Sequence, residues 1–166
     1  LVRSIAEVTS TNKYEELLAQ WGDMQAALGC LLHRPAQTHD FPAKVRQCDQ
    51  WMQDLVAQDL DATLYLIFQL ASSNGTGYSA SHALVCATLC HVLSQELGLP
   101  RNERDSLVRA AFTMNIAMTQ LQDELAERAD VITAQEQEAI NRHAEKSMAL
   151  LEQVGVNDDL WLDSVA

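Results

Sequence analysis

The spacing of the apolar residues constrains this chain more than any other feature. From Tyr14 onward they recur every three or four positions, the period of a helix with one buried face. Leu17, Leu18, Trp21, Met24, Leu28 and Leu31 predict a helix over residues 14–32. Val45, Cys48, Met52, Leu55 and Val56 predict a second over 44–57, and "DLDATLYLIFQLASS" reads as a third, more buried one. Asp59 or Asp61 near its start complements the helix dipole. No stretch alternates apolar and polar residues for more than a few positions. The 166 residues include only 6 Gly and 3 Pro, while Ala, Leu, Gln and Glu abound. The fold class is therefore all-α.

Turn residues divide the pattern. "HRPAQTHDFP" ends the first helix with two prolines, and "SNGTGYS" is a turn in which Ser79 is the expected N-cap of the next helix. "ASHALVCATLCHVLSQELGL" is a long apolar helix stopped at Gly98, with Pro100 just beyond. "NERDSLVRAAFTMNIAMTQLQDELAE" supplies a further helix or helix pair, and Arg109 to Gln120 reads as the middle of a long helix. "TAQEQEAINRHAEKSMALLEQVG" opens with a capping box, Thr133 and Glu136, and closes at Gly155. A short helix is expected from Asn157. Residues 1–12 read as a loose lead-in. The turn at 73–78 is the natural division, giving an N-terminal helical unit over 1–73 and a helical domain over 74–166.

The net charge of −12 lacks the basic footprint that binding nucleic acid requires, and it disfavours an anionic membrane. A small anionic ligand held by local arginines stays open. No apolar run reaches the about 18 residues of a membrane span, and no signal pattern is present. Cys30, Cys48, Cys86 and Cys90 form no CxxC pair; they read as reduced thiols, which points to a reducing, cytoplasmic compartment. The chain opens on Leu1 rather than Met, so further residues are expected at one end at least.

Chemistry, if any, concentrates in the second half. His82, Met114-Asn115 and His143 fall on three separate predicted helices, which is how metal sites inside helical bundles are built. Each histidine also reads as an ordinary helix residue. The literal pair His39-Asp40 lies in the proline-broken loop, where Asp40 reads as a helix cap. His33 and His91 have no partner pattern, and Trp21 and Trp51 read as packing residues.

These residues carry a resemblance. "YSASHAL" places Tyr78 four residues before His82, and "LGL" follows at 97–99. Ala110-Ala111 leads into "MNIAM" at 114–118, "ITAQEQ" stands at 132–137, and "RHAEKSMALL" runs from Arg142. In this order and register, without a gap from Tyr78 to Leu151, the chain resembles the HD-GYP branch of the HD-domain metal-dependent phosphohydrolases. The resemblance implies an HD-domain-like helical bundle carrying an N-terminal helical extension. It implies that His82 and His143 are partial or vestigial metal ligands and that Met114, Asn115 and Met118 occupy the positions of the family's His, Asp and Lys. The family's "HHE" motif would begin at about Ala166 and its "GYP" loop beyond it, so the domain is expected to continue past Ala166, and whether the chain carries those two motifs stays open. The "GTGY" at 75–78 precedes the first His and is not that loop.

The departures fall on the chemistry. The family's Asp bridges two metal ions, and ions such as Mn, Fe or Mg take hard anionic oxygens. Asn115 offers a neutral amide, and Met114 a soft thioether that suits apolar packing. The implied function is a catalytically inactive signalling, binding or interaction module without a resident cofactor. Its N-terminal helices would serve a protein partner or self-association, through an exposed apolar stripe on 14–32. The alternative is a rewired phosphohydrolase. There His82, Asn115, His143 and residues past Ala166 would hold one divalent ion, with Arg109, Arg128 and Arg142 facing a phosphodiester or nucleotide phosphate.

Overall fold

The computed structural model describes residues 5–72 and 77–166. Among the described residues every regular element is helical: α1 (Ile5–His33), α2 (Phe41–Gln58), α3 (Leu60–Ser72), α4 (Tyr78–Glu96), α5 (Arg101–Thr113), α6 (Thr119–Ala126), α7 (Ala134–Asn141), α8 (His143–Gln153) and α9 (Asp159–Val165). Two 3-10 turns, at Pro35–Gln37 and Ile116–Met118, join α1 to α2 and α5 to α6.

The first helix starts earlier than its apolar pattern. Residues 5–12 are helical rather than a loose lead-in, while 1–4 lie outside the described residues. Extending a helix adds one hydrogen bond per residue fixed, and no Gly or Pro in that stretch stops it. Leu17, Trp21, Met24, Leu28 and Leu32 are all buried, so the expected exposed stripe on 14–32 is instead a core face. Leu18 alone among the helix's predicted apolar residues stands exposed, at 41%. Among the described residues, α3 also leaves Leu60, Tyr65 and Phe68 exposed.

Caps explain the other boundaries. Asp40 takes a left-handed conformation (φ 50°) and accepts the Ala43 N–H at 3.2 Å, so the literal His-Asp pair is a cap of α2. Asp59 likewise accepts the Ala62 N–H at 3.0 Å and starts α3. Gly98 (φ 68°) ends α4 with paired bonds from Leu99 N–H to Ser94 C=O and from Gly98 N–H to Gln95 C=O, each 3.0 Å. The Thr133–Glu136 capping box forms as expected.

Besides the start of α1 and the break after α5, three boundaries differ from expectation. Ser79 is not the cap of α4: the helix begins at Tyr78 behind Gly77 (φ 91°), and residues 73–76 of the expected turn lie outside the described residues. The stretch 133–155 is two helices, α7 and α8, divided at Arg142 (φ −107°, ψ 9°), where His143 Nδ1 lies 2.6 Å from the Ile140 carbonyl. The last helix starts at Asp159, because Asp158 rather than Asn157 supplies its cap.

α4 and α5 pack along one another, α9 closes against α5 and α8, and α1 lies against α2 and α4. One hydrophobic core runs through all of them. It joins Trp21, Met24, Met52 and Leu66 from the first 73 residues to Leu84, Phe112, Leu151 and Trp161 from the rest. Trp51 is half-buried against the same core, so both tryptophans of the first half pack as predicted. Among the described residues no helix is long and apolar enough to cross a membrane.

Candidate functional site

α4 carries the first of the predicted site residues. Residues four apart share a helix face, and Tyr78, His82 and Cys86 follow that rule. The Tyr78 and His82 rings stack at 5.8 Å with planes 14° apart, and His82 Nε2 lies 3.7 Å from Cys86 Sγ. Burial pushes the Cys86 and Cys90 thiols up, and Cys90 raises Cys86 further. Without a metal ion both therefore stay protonated thiols near neutral pH.

α5 ends at Thr113, and the chain turns through Met114 and Asn115 into the 3-10 turn at 116–118. The stretch 109–120 is thus not the middle of one helix: it is broken at 114–118, between α5 and α6. α8 fixes this turn: the Ala117 N–H donates to the buried Ser147 Oγ at 3.1 Å. Met114, Asn115 and Met118 are each half-buried. Met114 and Asn115 line a small cavity with Ser79, Thr119 and Gln122, having about 10 Å³ of room for the centre of a water-sized sphere. Neither His82 nor His143 lines that cavity. Among the described residues, no three His, Cys, Asp or Glu side chains gather to hold a metal ion. The donors at 114–115, a thioether and a neutral amide, lack the anionic oxygen that bridges hard ions.

The three arginines each face carboxylates of their own. Arg109 reaches Asp49 at 3.2 Å, Asp105 at 3.5 Å and Asp158 at 3.9 Å, so its guanidinium is committed within the fold. Arg128 pairs with Glu136, and Arg142 with Glu145 at 3.1 Å.

Two polar clusters escaped the sequence reading. Around Arg109, Ser106 donates to Asp158 Oδ2 at 2.8 Å and Gln53 to Asp49 Oδ1 at 2.7 Å. Burial pushes the Asp49 carboxyl up, against the lowering pull of Gln53 and Arg109. Buried His91 is held below the ordinary imidazole value, chiefly by desolvation, and lies 3.0 Å from Gln95 Nε2. A signal was present: Asp49 falls between Val45 and Met52 on the buried face of α2. The second cluster corrects the reading of His33 as partnerless. His33 Nε2 lies 3.0 Å from Asp123 Oδ2, while Asp123 Oδ1 accepts the Ser79 N–H at 2.7 Å. The carboxylate that caps α4 therefore comes from α6, 44 residues along the chain.

No family model, curated protein or solved structure matches this chain.

Proposed function

We propose that the chain is a degenerate HD-GYP-like domain that does not catalyse hydrolysis and works as a signalling or interaction module. The chemistry at residues 114–115 carries the reading. Where the likeness calls for His and Asp, the turn after α5 presents a thioether and an amide to a cavity with about 10 Å³ of free room, far below the several hundred of an ordinary ligand pocket. Arg109, the nearest arginine in sequence to that turn, is already held by three aspartates of the fold. A carboxylate bridge and an open cation are both things that phosphoryl chemistry uses, and this turn supplies neither.

As a module, the domain meets a protein partner or a second copy through its N-terminal helices. Tyr65, 56% exposed on α3, offers aromatic contact area of the kind that interfaces favour. The test is metal content by mass spectrometry, after purification without chelator and again after soaking in Mn²⁺ or Fe²⁺, alongside turnover of a generic phosphodiester. Near-zero metal and no turnover are expected. Metal-dependent turnover abolished by His82→Ala and by His143→Ala would overturn the reading.

A further inference from the structure

Buried polar atoms in a folded protein almost always have a hydrogen-bond partner, and two residues with an unpartnered one line the same cavity here. Ser79 Oγ and Gln122 Oε1 are buried without a protein partner, and both residues line the cavity beside Asn115. Ser79 is 3% exposed. The cavity's room of about 10 Å³ for the centre of a water-sized sphere matches a single water molecule. Asn115 and Thr119 add two more polar side chains to the lining, the Thr119 hydroxyl already donating to the Ile116 carbonyl, and Leu32, Ala83 and Phe112 are among its apolar walls.

We propose that this cavity is a binding site for one ordered water that cross-links α4, the Asn115 turn and α6. The water donates to Gln122 Oε1, exchanges a hydrogen bond with the Ser79 hydroxyl, and has Asn115 within its polar surroundings. The surroundings select water over an ion. Ser79 lies in the first turn of α4, where the helix dipole is positive and disfavours a cation. An anion would meet the Gln122 carbonyl oxygen, and the Ser79 N–H is already taken by Asp123. A neutral molecule that both donates and accepts, and is no larger than water, satisfies the lining. The proposal does not depend on whether the domain binds metal or a partner.

Water–protein nuclear Overhauser measurements on the full chain test it. The expected result is cross-peaks of protein-interior sign from a long-lived water to the first-turn protons of Ser79 and the side-chain amide of Gln122. Ser79→Ala is expected to remove or weaken the signal at Ser79, and Gln122→Leu to abolish it there. Absence of a long-lived water in the unmodified protein would overturn the proposal. So would signals that persist in both variants, or a crystal structure in which Ser79 Oγ and Gln122 bond directly across a closed cavity. The first measurement needs no variant to fold.

Discussion

Arg109 Nε donates to Asp49 Oδ2 at 3.2 Å, tying the middle of α5 to the buried face of α2. The contact is enclosed: the side chains of Arg109 and Asp49 are 17% and 3% exposed. It also crosses the 73–78 turn that the sequence suggests as a division. Removing one partner of a buried pair leaves the other charge without compensation, which typically costs about 3–5 kcal/mol. Arg109→Met is therefore expected to lower unfolding free energy by about 3 kcal/mol. The double variant with Asp49→Leu should lose less than the sum of the two single changes. Urea denaturation in a double-mutant cycle measures both quantities; additive losses would mean that the two side chains are not coupled.

Trp161 Nε1 donates to Thr113 Oγ1 at 2.8 Å, inside the contact between α9 and α5. Thr113 in turn donates to the Arg109 carbonyl at 2.8 Å. Thr113→Val keeps the shape and deletes the acceptor, stranding a buried indole N–H. The expected cost is about 1–3 kcal/mol. A loss under about 0.5 kcal/mol, in the range of ordinary surface substitutions, would show that the indole finds another acceptor.

The parts of the fold legible in the sequence are those set by local chemistry. Apolar spacing located the bodies of the helices, and Asp59, Gly98 and the Thr133–Glu136 box marked ends through contacts within a few residues. The breaks at 114–118 and at Arg142 carry no Gly or Pro and were not legible. The first is held by a contact between Ala117 and Ser147, 30 residues apart. The capping of Ser79 by Asp123 is a contact of the same kind, so a local reading assigned the cap to Ser79 itself. For the candidate site, the identity of residues 114–115 was plain in the sequence, but the commitment of Arg109 to three aspartates depended on how α2, α5 and α9 meet.

His91 is expected to make stability fall in mild acid. Desolvation first, then Arg104, holds its folded value below that of the exposed ring, while Asp49 and Asp105 pull the other way. Its contribution is present above the ordinary imidazole value of about 6.5 and is lost as pH falls through that value toward the folded one, because the unfolded chain then binds the extra proton. His91→Gln removes this term. Between pH of about 7.5 and 5.5 the unmodified protein should lose more unfolding free energy than the variant. Parallel stability profiles would rule out His91 as the source. Asp49 has the opposite sign: its raised folded value gives stability that is complete below the ordinary carboxyl range and falls as pH rises through the folded value.

The four thiols should separate by reactivity. Cys30 is exposed, Cys86 and Cys90 are half-buried, and Cys48 is buried with its thiol pushed up to about 11 by desolvation and then by Asp49. Alkylation needs the thiolate and access to it. Mass spectrometry of the native protein treated with iodoacetamide at pH of about 8 should find Cys30 modified first and Cys48 last, with the order lost in denaturant. Early modification of Cys48 would mean that the α2 face opens far more readily than its burial implies.

The HD-GYP-like frame proposed around residues 114–115 makes a stringent prediction. If the frame around the turn matches a metal site, the double substitution Met114→His, Asn115→Asp places an imidazole and an anionic carboxylate where the likeness calls for them, between His82 and His143 in sequence. Asp supplies the hard oxygen that Mn²⁺ favours and Asn lacks. A ligand that binds only the folded state raises stability by about 2.7 kcal/mol at 100 times its Kd. The double variant should therefore melt higher in Mn²⁺ than in chelator, and the unmodified protein should melt alike in both. The cavity beside Asn115 is small, so the new side chains are also expected to lower the metal-free melting temperature. That cost does not obscure the comparison, because it is the same in both buffers. A folded double variant indifferent to Mn²⁺ would show that α4, the turn and α8 do not present His82 and His143 to a common point, and the likeness would then extend no further than the order of its helices.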